Sequence, residues 1–87
     1  MALIRTGDSD ERLKEKIETI RWVGDIRLVT FRWKQSRRVD VGVIAQEVQR
    51  VHPDWVSEGK DGFLQVDYGA VWRYCAAQEP HPVTTVE

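Results

Sequence analysis

A serine, a lysine and several carboxylates crowd into one short run near the start of the chain, Asp8-Ser9-Asp10-Glu11-Arg12-Leu13-Lys14. Ser9 suits a helix N-cap, its oxygen accepting from an early backbone N–H, with Asp10 and Glu11 in a first turn where the helix dipole favours negative charge. Lys14 comes five positions after Ser9, within reach of the hydroxyl if its side chain folds back toward the helix start. A hydroxyl and an amine so placed can act as nucleophile and general base without a histidine. Taken alone, the run reads as a capped helix with a solvated lysine on its face.

The elements that must position these groups come from a small chain. At 87 residues it is one domain, near the lower limit for a self-sufficient core, so help from a partner chain is expected. Four Trp, two Tyr and two Phe supply apolar area, while 31% of the residues are charged; this is the composition of a soluble globular chain. No window has the apolar length of a membrane span, and Met1-Ala2-Leu3-Ile4 is too short for a signal core before Arg5. Cys75 has no cysteine partner for a disulfide or a zinc site and reads as a small buried apolar residue. His52 and His81 stand outside any metal-ligand spacing, so neither a metal nor a cofactor is expected. Thirteen basic and fourteen acidic residues are interspersed, with Arg37-Arg38 the one adjacent basic pair, which gives no case for nucleic acid.

Along the chain, Asp10 to about Arg21 are strong helix formers with Leu13, Ile17 and Ile20 at helical spacing, which predicts an amphipathic helix stopped by Gly24-Asp25. Residues 26–34 are β-branched and aromatic with Val29, Phe31 and Trp33 on one side, and 39–41 form the return strand of a hairpin. Residues 43–51 change period, with Ile44, Val48 and Val51 on one face of a short helix that ends before Pro53. Asp54-Trp55-Val56 is expected extended, residues 57–62 a turn, and 63–68 a strand. A last helix from Tyr68 or Gly69 carries Val71, Trp72, Cys75 and Ala76 and fails at Glu79-Pro80-His81-Pro82. The order helix, hairpin, helix, strand, helix is an α+β layout.

Five phrases in order carry a resemblance: residues 8–14, Phe31-Arg32-Trp33-Lys34, Gly42-Val43-Ile44-Ala45-Gln46-Glu47-Val48, Pro53 with Val56, and Val66-Asp67-Tyr68. Together they resemble the intramolecular chaperone auto-processing family, the self-cleaving C-terminal domains of phage tailspikes and tail fibres such as endosialidase. The likeness runs from about Asp8 to Tyr74. It implies a homotrimeric module that guides folding of an upstream β-structured stalk of the same precursor and then cuts itself off. It makes Ser9 the nucleophile, Lys14 its base and the bond between Asp8 and Ser9 the one cut, with cleavage within one chain or between neighbours both open. The first free N–H groups of the expected helix are candidates to hold the oxyanion. Asp10, Arg12, Gln46, Glu47, Asp67 and Tyr68 are supporting candidates. Of these, Gln46 and Glu47 are either exposed on the short helix or buried in support of the site or trimer. Asp67 reads as an N-cap and Tyr68 as a partly buried anchor.

The domain reading is residues 1–8 as a remnant of the upstream stalk or linker, 9–78 as the chaperone and auto-processing domain, and 79–87 as a flexible tail. Only eight residues precede Ser9, so the client belongs to a longer precursor from which this chain is a piece, or the chain is a separate product. Pro80 and Pro82 interrupt the helix that the family extends into a three-stranded coil, which leaves the aromatic faces for a trimer. The resemblance places the protein in the host cytoplasm during virion assembly and outside the mature virion. The rival reading is a trimerisation or capping module of a viral fibre that does not cleave.

Overall fold

The computed structural model describes residues 6–78. Eight main elements follow in order: β1 (Thr6–Asp8), β2 (Lys14–Val23), β3 (Ile26–Trp33), β4 (Val39–Gly42), α1 (Ala45–Val51), β5 (Val56–Glu58), β6 (Leu64–Asp67) and α2 (Tyr68–Gln78). The strands form two antiparallel three-stranded sheets, ordered β2-β3-β4 and β1-β6-β5. The α+β class is as expected. The expectations for residues 79–87, the two prolines and His81 among them, lie outside the described residues.

The first helix is not there. Only Glu11–Leu13 make a short 3-10 turn, and Lys14 to Val23 run as a strand paired with β3. Two bulges explain why the sequence imitates a helix. Between Glu15 and Glu18, and again between Thr19 and Arg21, β2 spends one more residue than β3, and Lys16 takes up a left-handed φ of 52°. Each extra residue breaks the period of two. The apolar residues 13, 17 and 20 then fall at steps of four and three, the helical signature. Of the three, Ile17 packs against Val29, Phe31 and Ile44 while Ile20 is exposed. Local helix propensity is worth only tenths of a kcal/mol per residue, and pairing along the whole of β3 overrides it.

Gly24 and Asp25 connect the two long strands, between the buried pair Val23 and Ile26. Gly24 has φ +60°, and a Cβ there would collide with the Tyr74 hydroxyl, so a side chain is barred twice over. The expected hairpin of β3 and β4 forms with Phe31 opposite Asp40 and Val29 opposite Gly42. The expected short helix starts two residues late, at Ala45. Pro53–Trp55 form a 3-10 turn rather than extended chain, and Ser57 and Glu58 belong to β5 rather than to a turn. The strand expected over 63–68 is β6, and the last helix begins at Tyr68.

Two apolar clusters hold the layers together. Val23, Ile26, Val43, Ala45, Val48, Val66, Val71 and Cys75 form the larger, beneath the two helices. Val29, Phe31 and Ile44 form the smaller, flanked by Ile17 and Trp33. The link from β4 to α1, Val43-Ile44, is therefore fully buried, and its backbone polar groups need partners. For Val43 those partners are side chains of the candidate site, while the Ile44 carbonyl accepts from the Glu47 and Val48 amides of α1.

Candidate functional site

Ser9 leaves β1 in extended continuity with the sheet, its N–H bonded to the Leu64 carbonyl at 3.1 Å and its own carbonyl accepting from Ala45 N at 2.8 Å. It is thus pinned by β6 on one side and by the start of α1 on the other, and its side chain is 0% exposed. It caps no helix. Asp10 does the capping of the 3-10 turn, through the Arg12 amide at 2.9 Å. The turn then delivers Lys14 to the first position of β2, opposite Trp33.

Lys14 is 3% exposed and turns back over the same spot. Its Nζ donates to Ser9 Oγ at 3.0 Å and to the Val43 carbonyl at 2.7 Å. Its stem and ammonium lie against aromatic faces, with Nζ 4.0 Å from the Phe31 ring centre and 5.4 Å from that of Trp33. Burial pushes the amine down from 10.5 to about 8, against the opposing pull of the Asp40, Asp10 and Asp8 carboxylates. The lowering arises within a single chain and needs neither a helix dipole nor a neighbouring subunit.

Ser9 Oγ also donates to the Val43 carbonyl at 2.9 Å and lies 2.5 Å from the Tyr68 hydroxyl. Strand end, strand start, buried link and helix start thus converge on one oxygen atom. The sequence pairing of Ser9 with Lys14 is close in space through strand geometry, not through a helix turn.

Asp10 is the second fully buried polar group. Arg12 clamps it through Nε at 2.9 Å and Nη2 at 2.8 Å, and Leu64 N donates to its other side at 2.9 Å. The Arg12 guanidinium, aided by those amides and the Gln46 side chain, holds this carboxyl well below the usual carboxylate range against the cost of burial. Arg12 itself reaches the Gly62 carbonyl and lies over the Phe63 ring. Gln46 Oε1 accepts from Glu11 N at 2.9 Å, so the amide braces the turn.

Glu47 and three of the early amides serve other partners. Glu47 points to β3, where Arg27 pairs with it at 3.0 and 2.5 Å, and does not join the serine. Of the early N–H groups named for an oxyanion, three have other partners: Glu11 N donates to Gln46, Arg12 N to Asp10 Oδ1, and Leu13 N to the Asp10 carbonyl. Asp67 Oδ1 accepts from Ala70 N at 3.2 Å and caps α2. Asp8 binds Gln65 Nε2 at 3.2 Å across the sheet. It opens onto a groove of about 520 Å³ that includes Phe31, Trp33, Asp40 and Tyr68. Sequence reasoning passed over Val43, whose carbonyl touches both Ser9 and Lys14, and Asp40; a backbone acceptor leaves no mark on residue type.

Among the described residues no group of histidine, cysteine, aspartate or glutamate could hold a metal ion. No helix among them is long and apolar enough to cross a membrane.

The fold and site define a small α+β domain built around a buried serine and lysine. The model of a peptidase family, described as chaperone of endosialidase, matches residues 9–57, and the chain belongs to that family. No curated protein and no solved structure matches the chain.

Proposed function

We propose that the protein is the intramolecular chaperone of a phage tail fibre or tailspike and releases itself by serine–lysine autoproteolysis between Asp8 and Ser9. The observation that carries this reading is Lys14 Nζ at 3.0 Å from Ser9 Oγ, in a buried site where the amine titrates near 8. Such a lysine has a neutral fraction large enough to take a proton at physiological pH, which a solvated lysine lacks.

The chemistry follows from Ser9 sitting beside the bond it attacks. Ser9 Oγ adds to the Asp8 carbonyl carbon while its proton passes to neutral Lys14. The carbon–nitrogen bond then breaks, and the lysine ammonium returns that proton to the Ser9 nitrogen, leaving an ester between Asp8 and Ser9 Oγ. Water entering from the groove beside Asp8, with Lys14 again as base, hydrolyses the ester to an Asp8 carboxylate and a free Ser9. Attack within one chain is favoured because Ser9 is 0% exposed; a peptide from a neighbour would have to displace β1 to reach it.

Assembly as a homotrimer, with the upstream β-structured stalk as folding client, belongs to the same reading. Trp22 at 61% exposure, Val39 at 67% and Trp72 at 45% offer apolar surface for other chains. Holding chains in register lowers the entropy cost of starting a non-local β-structure without ATP. Cleavage then removes the chaperone in the host cytoplasm and leaves the client behind its unfolding barrier. The test is the intact mass of a precursor with and without Ser9→Ala. Wild type should divide between Asp8 and Ser9 and the variant stay whole; two intact chains would favour the non-cleaving capping module.

A further inference from the structure

Tyr68 lies 59 residues beyond Ser9 in sequence, yet the two hydroxyl oxygens are 2.5 Å apart. The phenol oxygen also accepts from the Val43 amide at 3.3 Å, which leaves its own proton to point at the serine. The same assignment holds in both protonation states of Lys14. With the amine charged, Lys14 donates to Ser9 Oγ, and the serine proton goes to the Val43 carbonyl. With the amine neutral, the serine proton turns to Nζ and Lys14 keeps its bond to Val43. In each case a lone pair of Oγ is left for the phenol.

The position of that phenol is set by the docking of α2. Tyr68 is the first residue of the helix, Asp67 caps it, and Ala70, Val71 and Cys75 bury its inner face. Gly42 leaves room for the hydroxyl, since a Cβ there would come within 2.6 Å of it. Burial raises the phenol above its ordinary 10, so it remains a donor at the pH where Lys14 is neutral.

We infer that Tyr68 is a positioning residue of the cleavage site, whose hydroxyl donates to Ser9 Oγ, turns the serine proton toward Lys14, and makes the cut wait for the docking of α2. Ser9 and Lys14 lie near one end of the chain and Tyr68 on its last described helix. The nucleophile is therefore oriented only after the whole domain has closed, an internal folding checkpoint. This rests on the serine–lysine reading above.

The test is the cleavage rate of a precursor against pH, with the melting temperature of each variant. Tyr68→Phe keeps the ring and is expected to lower the plateau rate about 10- to 100-fold, as small misplacements of reacting groups do. Its midpoint should stay near pH 8, and its melting temperature should fall only by the few degrees that the lost acceptor of the Val43 amide costs. Gly42→Ala, which presses on the same hydroxyl, should lower the plateau too. Tyr74→Phe, which alters the hydroxyl's bonds to the amide and side chain of Asp25 at the β2–β3 turn, away from Ser9, should cleave as wild type does. A wild-type plateau in Tyr68→Phe overturns the inference. So does a kept plateau with the midpoint climbing toward 10.5, since that is a wetted site and a structural role. A slow rate that recovers to the wild-type plateau when the assay is cooled well below both melting temperatures overturns it as well. If Ser9→Ala still cleaves, the serine–lysine reading falls and this inference with it; if Ser9→Ala is inert and Tyr68→Phe is fully active, Tyr68 alone loses its role.

Discussion

Lys14 Nζ and Ser9 Oγ share a single acceptor, the Val43 carbonyl, which takes a hydrogen bond from each at 2.7 and 2.9 Å. While the lysine is charged, the serine has no base to give its proton to. Loss of one proton from Nζ turns that donor into the acceptor that the reaction needs. Cleavage should therefore follow the neutral fraction of Lys14, about a hundredth at pH 6 and about a tenth at pH 7 for a group titrating near 8. The expected pH–rate profile rises about tenfold per unit through this range and flattens above pH 9. Single-turnover cleavage across buffers of constant ionic strength reads it, and a flat profile would rule out the lysine as base.

The same burial sets a stability cost that can be removed. Lys14 holds its proton up to 10.5 in the unfolded chain but loses it near 8 when folded. Between those values the unfolded state binds more protons, so stability rises with pH; below 8 the full cost stands, on the order of 3 kcal/mol. Lys14→Met keeps the stem against Phe31 and Trp33 and is expected to stabilise the fold by about 1–3 kcal/mol at pH 7. The gain should vanish above pH 10.5, and denaturant titrations at the two pH values give the comparison.

Asp40 opposes the lowering more than any other carboxylate. It also accepts from Trp33 Nε1 at 3.3 Å, a bond an asparagine oxygen can keep. Asp40→Asn is expected to move the midpoint of the pH–rate profile below 8 and to raise the rate at pH 7 about twofold. A midpoint that moves up would contradict an electrostatic pull of this carboxylate on the amine.

Gly24→Ala tests the hairpin that carries Lys14. A left-handed φ and a collision with the Tyr74 hydroxyl act together at this position, so a loss of about 1–3 kcal/mol is expected in chemical unfolding. The turn also links to the helices through Asp25, which meets His52 Nε2 at 2.9 Å.

Much of this architecture can be read from residue types, because β3, β4, β6 and the two helices keep their periods and α1 stops before Pro53. The stretch from Asp10 to Arg21 cannot, since its two bulges convert a strand into a helix-like spacing and its charged residues favour helix locally. The pairing of Ser9 with Lys14 is nonetheless legible, as the 3-10 turn brings together the residues that a helix was expected to join. Val43 is silent for a different reason: its contribution is a carbonyl held in a buried link, and any residue has one. Tyr68 is visible as an anchor, but its contact with Ser9 depends on how α2 packs, which no local pattern reports.

The most direct measurement is the intact mass and N-terminal residue of the chain after incubation at pH 9, for wild type and for Lys14→Met. Wild type should lose residues 1–8 and begin at Ser9, while Lys14→Met remains whole and folded. Release of the same fragment at the same rate from Lys14→Met would show that the amine takes no part in the cut.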